Sequence, residues 1–237
     1  MILHTKVSGK GEPVVLIHQG LQTSETDFQA EKDYLQENYQ VILPDLRGHG
    51  KSASDDFSDY FNDCARDLND TLTELNIDST HIAGSSLGAL AALMFAKKYP
   101  HRVKSLVISG IIPKKPANWE EQLKEEKAMQ ANVLENKDAI AYFDQIHDGD
   151  WSKLLKIAVE ADWYPFNETG DLTMLEVPVL FVVGEGNTNE TIGAQIYPRA
   201  NKNIHVAIIP FASHLVHLDQ PEIYMKVVED FLKRVEK

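Results

Sequence analysis

His81-Ile82-Ala83-Gly84-Ser85-Ser86-Leu87-Gly88, continuing into Ala89-Leu90-Ala91-Ala92-Leu93-Met94-Phe95-Ala96, is the stretch that decides how this chain reads. A short apolar run ends in a glycine. Two serines follow, and a second glycine opens a stretch that is apolar on nearly every side. A helix apolar all round is buried rather than surface-lying. The pattern predicts a strand turning sharply into a buried helix, with Gly84-Ser85-Ser86-Leu87-Gly88 fitting Gly-x-Ser-x-Gly at the bend. Such a bend forces its central residue into strained backbone angles, and flanking glycines remove Cβ atoms that would collide there. The Ser86 hydroxyl would then stand above the carboxyl edge of a sheet, where open α/β sheets place ligands. The helix start adds unpaired N–H groups and a positive dipole end, which suit the oxyanion of a tetrahedral intermediate. The plain alternative is a glycine-serine loop that only joins two elements. Ser85 is the rival hydroxyl, without the symmetric glycine flanks.

Outward from this bend, short apolar, β-branched runs alternate with longer amphipathic stretches. The other runs are Val14–Ile17, Val41–Leu43, Leu106–Ile108, Val179–Val183 and Val206–Ile209. Most lack polar alternation, as strands of a parallel sheet covered by helices on both faces do. Phe61, Cys64, Ala65, Leu68, Leu72 and Leu75 put one apolar stripe on a helix over about 58–76. Tyr224, Val227, Val228, Phe231, Leu232 and Val235 do the same for a last helix, with Pro221 near its first turn. The order of elements predicts an α/β fold with a mostly parallel central sheet, helices on both faces and right-handed crossovers. Residues 114–165 break the rhythm: they carry many charges and aromatics and no buried-strand run. They read as a helical cap inserted into a core made of 1–113 and 166–237, with an ordinary pair of surface helices as the alternative.

The chain of 237 residues is 43% hydrophobic and 25% charged, with a formal charge of −13. These are values of an ordinary globular protein and not of a disordered one. The acidic balance argues against a general nucleic-acid binder, which needs a basic face. No stretch reaches the length of a membrane span, and no secretory leader is visible. Cys64 is the one cysteine, so no internal disulfide forms, and a reducing cytoplasm is the expected location. Neither a dinucleotide fingerprint nor a phosphate loop is present, so no cofactor is expected. His214 and His217 have no cysteine or acidic cluster nearby that would make them a metal site.

Three further segments carry a family resemblance. His18-Gln19-Gly20 ends the first strong strand, Asp45-Leu46-Arg47-Gly48-His49-Gly50-Lys51-Ser52 follows the second, and Phe211-Ala212-Ser213-His214-Leu215-Val216-His217 follows the last. With the Gly-x-Ser-x-Gly bend these resemble, in order, the landmarks of the α/β-hydrolase family from about Glu12 to the C-terminus. The resemblance is to its small, cap-bearing members: carboxylesterases, enol-lactonases, cofactor-free haloperoxidases and carbon–carbon bond hydrolases. It implies Ser86 as nucleophile and His214 as its general base, because a free hydroxyl is too weakly acidic to attack unaided. It implies a backbone oxyanion hole from the Leu87 and Gly20 N–H groups. His18 and His49 read as residues bracing their loops. The family's glycine after His18 is here Gln19, a side chain that either alters the turn or offers its own amide.

The acid that should orient His214 is the open point. The family places it three residues past the glycine that ends the fifth strong strand, which here is Asn187 in Gly184-Glu185-Gly186-Asn187-Thr188-Asn189-Glu190. Asparagine can orient a histidine but cannot stabilise an imidazolium as a carboxylate does. Glu190 in the same loop, Glu185 nearer the strand, Asn187 itself, or no acid at all are the alternatives. Glu190 also reads as an acid complementing a helix start. If Asn187 marks a weakened site, Asn187→Asp would raise activity.

Trp119, Tyr142, Phe143, Trp151 and Trp163 suggest an apolar pocket above Ser86, though some must pack the cap itself. Acidic side chains outnumber basic ones across 114–165, which disfavours a strongly anionic substrate. The expected activity is cleavage of a small carboxylic ester, lactone or related carbonyl compound through an acyl-enzyme. Two other readings stay open: a weak or inactive ligand-binding protein on the same scaffold, and a carbon–carbon hydrolase or lyase using the same Ser-His pair.

Overall fold

A computed structural model describes residues 1–160 and 162–236; Ala161, within the expected insertion, and Lys237 lie outside them. The apolar runs become strands of one seven-stranded sheet: β1 (Thr5–Ser8), β2 (Glu12–Ile17), β3 (Tyr39–Pro44), β4 (Thr80–Ser85), β5 (Val103–Ser109), β6 (Val179–Gly184) and β7 (Ile204–Ile209). Their order is β1-β3-β2-β4-β5-β6-β7. All neighbours are parallel except β1, which runs antiparallel to β3. β1 escapes the apolar-run reading because Thr5-Lys6-Val7-Ser8 is mostly polar and only half covered. It can be so because it is an edge strand, and an edge lysine also discourages pairing with another chain.

Alternate residues of the inner strands feed two separate cores. Val15, Ile17, Ile42, Ile82, Leu106, Ile108, Phe181 and Val183 lie on one face, under the helices α2 (Tyr60–Glu74) and α3 (Leu87–Lys98). Val14, Leu16, Val41, Leu43, Ala83, Val107, Leu180 and Val182 lie on the other, under α1 (Gln29–Leu35) and the last helix, α11 (Pro221–Val235). Coverage on both faces is why these strands show no polar alternation. Helix α3 is buried along nearly its whole length, as its composition predicts. Helices α2 and α11 each bury one stripe, within a few residues of the spans the periodicity predicts.

Between β5 and β6 the chain leaves the sheet and forms α4 (Trp119–Glu135), α5 (Lys137–Ile146), α6 (Trp151–Ile157) and α7 (Phe166–Gly170). This segment is lightly packed: α4 buries only Trp119 and Leu123, and α5 buries no residue. After β6 come α8 (Thr188–Thr191) and α9 (Gly193–Ala200), and after β7 comes α10 (Val216–Asp219).

Chain order reverses between β2 and β4, so a crevice opens at their carboxyl ends, the position where doubly wound sheets bind ligands. Ile17 pairs with Gly84, so the turns after β2 and β4 leave the sheet at the same level. Helix α3 packs hard against this point. A Cβ on Gly88 would fall onto the Ile17 and His18 carbonyl oxygens, and one on Gly84 onto the Gly88 carbonyl. Because backbone cannot step aside as a flexible side chain can, Gly88→Ala is expected to lower the unfolding free energy by about 2–3 kcal/mol. A urea titration followed by circular dichroism measures it; an unchanged midpoint would refute this account of the close approach.

Candidate active site

Ser86 sits on the bend between β4 and α3 with φ 53° and ψ −118°, a conformation most residues with a Cβ avoid. Its N–H continues the β4–β5 pairing by donating to the Ser109 carbonyl at 2.9 Å, and its own carbonyl accepts from Ala89 and Leu90. The residue is thus tied to the sheet on one side and the helix on the other, and its side chain points into the crevice. Ser85 is fully buried and has no hydrogen-bond partner for its hydroxyl among the described residues.

His214 lies on the loop between β7 and α10. Its Nε2 is 2.9 Å from Ser86 Oγ, and its Nδ1–H donates to Glu190 Oε1 at 2.6 Å. Gly110, which follows β5 with φ 69°, makes room for the ring: a Cβ there would lie 3.0 Å from both His214 Cε1 and Ser86 N. Sequence reasoning passed over Gly110, although a glycine directly after a buried strand is the available signal.

The structure answers which acid faces the histidine. Glu190 lies in the single turn α8 and is buried at 1% exposure. Asn187 does not reach His214. It caps α8, accepting from the Glu190 N–H, and its Nδ2 donates to Glu190 Oε1 at 2.6 Å. Its place is therefore one hydrogen bond further out than an orienter of the imidazole. Glu185 accepts from the Phe211 N–H at 2.9 Å and so braces the His214 loop instead. Burial pushes the Glu190 carboxyl up, against the pull of His214 and Asn187. Burial would depress the His214 imidazole, but the hydrogen bond and charge of Glu190 outweigh it and hold the ring above its ordinary value of 6.5.

The turn after β2 is held from below. His18 Nδ1–H donates to the Gln19 carbonyl at 2.7 Å, and its Nε2 accepts from the Leu46 N–H at 2.9 Å. Both ring nitrogens being engaged with backbone, and burial disfavouring charge, His18 is a neutral brace. Asp27 was not singled out by the sequence, yet it holds the same turn. Its Oδ2 accepts from the Gln19 N–H at 2.9 Å, while its Oδ1 is 2.8 Å from His217 Nε2. Burial works against the Asp27 charge, but His217 and the Gln19 N–H outweigh it and hold the carboxyl below its usual range. His217 and Asp27 are both buried, so His214 and His217 serve different partners. Nothing local in the sequence marks a carboxylate whose partner lies 190 positions away.

His147 was also unforeseen. Between α5 and α6, its Nδ1 accepts from the Gly50 N–H at 2.8 Å and its Nε2–H donates to the Leu21 carbonyl at 3.2 Å. It joins the inserted segment to two core loops at once. His49 leans on the Arg47 carbonyl, and burial together with His18 and His147 keeps its ring neutral, well below the ordinary value.

Above Ser86 is a cavity of about 370 Å³. Leu87, Leu90, Ile112, Leu154 and Leu155 form apolar wall, with Trp119, Trp151, Trp163 and Tyr164 beside them. Gln19, Gln122, Glu126 and Gln130 bring polar atoms. Of the expected aromatics, Tyr142 is exposed and Phe143 packs on Trp151 with ring centroids 4.9 Å apart. Gly20 and Leu87 meet at this cavity, and neither N–H donates to another group among the described residues. No group of side chains arranged to hold a metal ion occurs among the described residues.

A family profile described as the alpha/beta hydrolase fold matches residues 12–161. The chain belongs to the α/β-hydrolase family. Among the relatives of this α/β-hydrolase is 3-oxoadipate enol-lactonase 1 of Acinetobacter baylyi, 23% identical over 99% of this chain and 94% of the relative. Another is 2-(acetamidomethylene)succinate hydrolase of Mesorhizobium japonicum, 24% identical over 97% of this chain and 91% of the relative. The crystal structure of NosK from Streptomyces actuosus superposes with a TM-score of 0.83 at 26% identity, covering 96% of this chain and all of that one. As an enzyme of this family the α/β-hydrolase takes a small-molecule substrate, and no helix among the described residues is long and apolar enough to cross a membrane.

The His214 geometry has a direct test. By NMR titration the ring should protonate above 6.5. In Glu190→Gln, which keeps an acceptor but removes the charge, the midpoint should fall. An unchanged midpoint would show that Glu190 does not govern this imidazole.

Proposed function

We propose that this α/β-hydrolase cleaves small carboxylic esters or lactones by two-step acyl transfer. The observation that carries the reading is the continuous line Ser86 Oγ–His214 Nε2 and His214 Nδ1–Glu190 Oε1, at 2.9 and 2.6 Å, opening onto a cavity. In the first step neutral His214 takes the Ser86 proton as Oγ bonds to the substrate carbonyl carbon. Negative charge moves to the carbonyl oxygen, where the unused Leu87 and Gly20 N–H groups are the donors we assign to it. The tetrahedral species collapses, the ester C–O bond breaks, and His214 returns the proton to the leaving alcohol. In the second step His214 takes a proton from water, whose oxygen attacks the acyl carbon. The Ser86–acyl bond then breaks with the proton restored to Oγ. One water is consumed; an ester releases one acid and one alcohol, and a lactone, whose alcohol stays tethered to the acyl group, releases one hydroxy acid. Glu190 fixes the Nδ1–H tautomer and stabilises the imidazolium formed in each step.

The inserted helices act in this reading as the cap, since α4 and α6 supply wall of the cavity. An inactive binding protein is the alternative raised by Asn187, where an acid is expected, and by Gln19, where a glycine is; Glu190 beside the histidine favours the enzyme. The same Ser-His pair is compatible with carbon–carbon bond cleavage, and product analysis distinguishes it from ester hydrolysis.

A fluorophosphonate probe should label Ser86, and Ser86→Ala should abolish both labelling and ester turnover. Failure to label with several acyl and phosphonyl probes would sink the proposal. Because the neutral imidazole is the base, kcat/KM should rise with pH through a midpoint above 6.5. Glu190→Gln should reduce kcat by on the order of 10³-fold and move that midpoint down. Asn187→Asp should lower activity, because a second carboxylate replaces a donor to Glu190 and opposes its charged form. A gain on Asn187→Asp would mean that residue 187 acts on His214 directly.

A further inference from the structure

Helix α4 presents Gln122, Glu126 and Gln130 to the cavity, at the four-residue spacing that puts three side chains on one helix face. Glu126 is the one carboxylate among the residues forming that wall, which include neither lysine nor arginine. Among the described residues it makes no ion pair, and like the other acids of α4 it is exposed. Neighbouring atoms at the cavity wall push its carboxyl up although the side chain stays open to solvent, and it is near enough to His214 for the two charges to act on each other. Of the other titratable groups at the wall, burial keeps His49 and Tyr164 neutral, and His214 is neutral above its own titration. Under those conditions the cavity wall carries an unbalanced negative charge together with Trp119, Trp151 and Trp163.

Building on the hydrolase reading, we propose that Glu126 is a specificity-determining residue and that the preferred ester carries an alkylammonium group. A cation that leaves water for the cavity is compensated by the Glu126 charge and by the neighbouring indole side chains. The flanking Gln122 and Gln130 offer amide oxygens to the same cation. An anionic substrate meets the reverse situation. The names of two relatives contain succinate and oxoadipate, which are carboxylates. Here no cation lines the cavity to receive such a group, and Glu126 repels it.

The experiment compares kcat/KM for matched esters at a pH above the His214 titration. Trimethylammoniopropyl acetate is paired with its neutral carbon isostere, which places charge on the alcohol side. The methyl ester of trimethylammoniobutanoate is paired with its own isostere, which places it on the acyl side. In at least one pair the cation should be preferred by roughly tenfold, mostly through KM. Glu126→Gln should remove the preference, and Glu126→Lys should transfer it to carboxypropyl acetate. No preference for the cation in either pair, better turnover of the carboxylate ester by the wild type, or a preference that survives Glu126→Gln would each overturn the assignment while leaving the hydrolase reading intact. If no ester is turned over and no fluorophosphonate label forms, the hydrolase reading fails instead. Calorimetric binding of butyltrimethylammonium to the wild-type protein then decides the subsite by itself: saturable binding weakened by Glu126→Gln supports it, and no binding overturns it.

Discussion

The backbone of Ser86 is the constraint on which the rest of the site depends. A residue with a Cβ is held at positive φ because four hydrogen-bonded and steric demands meet there. Its N–H must finish the β4–β5 ladder, and its carbonyl must begin α3. The helix must pass close enough to β2 that only glycine fits at 88, and the strand must end on Gly84 for the same reason. Strain of this kind costs about 1–3 kcal/mol and persists only where surrounding packing over-determines it. Helix α3, buried along nearly its whole length, supplies that packing. The core therefore holds the bend, and with it the point from which the hydroxyl meets His214.

Around this fixed point the loops are set by buried polar bridges rather than by further apolar packing. Asp27 links the turn after β2 to His217, three residues past His214, so one carboxylate spaces two of the loops that converge on the crevice. Asp45 receives N–H groups from Ser24 and Lys51 and joins the second loop to the first. His18 and His147 act through both ring nitrogens, each taking one backbone N–H and giving to one carbonyl. Such groups would be costly unpaired, and their pairing gives each loop one low-energy position. His147 extends the same logic to the end of α5, a helix that buries no residue of its own.

The fold was legible because its signals are local. An apolar run, a bend with two glycines and a buried helix each declare themselves within a dozen residues, and six of seven strands follow from them. The seventh, β1, hides because an edge strand need not be apolar. Ser86 and His214 were legible as landmarks in order along the chain. Asp27, Gly110 and His147 were not, since what makes each important is a partner between about 24 and 190 positions away. Periodicity cannot express a pairing of that range; only the tertiary arrangement does.

The acid at His214 lies between these cases. The family resemblance puts Asn187 at the position of the acid, three residues past the strand-ending glycine. The chain instead spends that position on a cap: Asn187 starts α8, and the turn it starts brings Glu190 back over the same spot. Glutamate has one more methylene than aspartate, which compensates for a Cα set further round the turn. Asn187 then lends its amide N–H to the same Oε1 that His214 meets, so the carboxylate oxygen is held from two sides. A capping asparagine followed three residues later by a glutamate is a helix-start signature, and at this loop the same signature also delivers the charge. The two readings of Glu190, as complement to a helix start and as partner of the imidazole, are satisfied by one side chain.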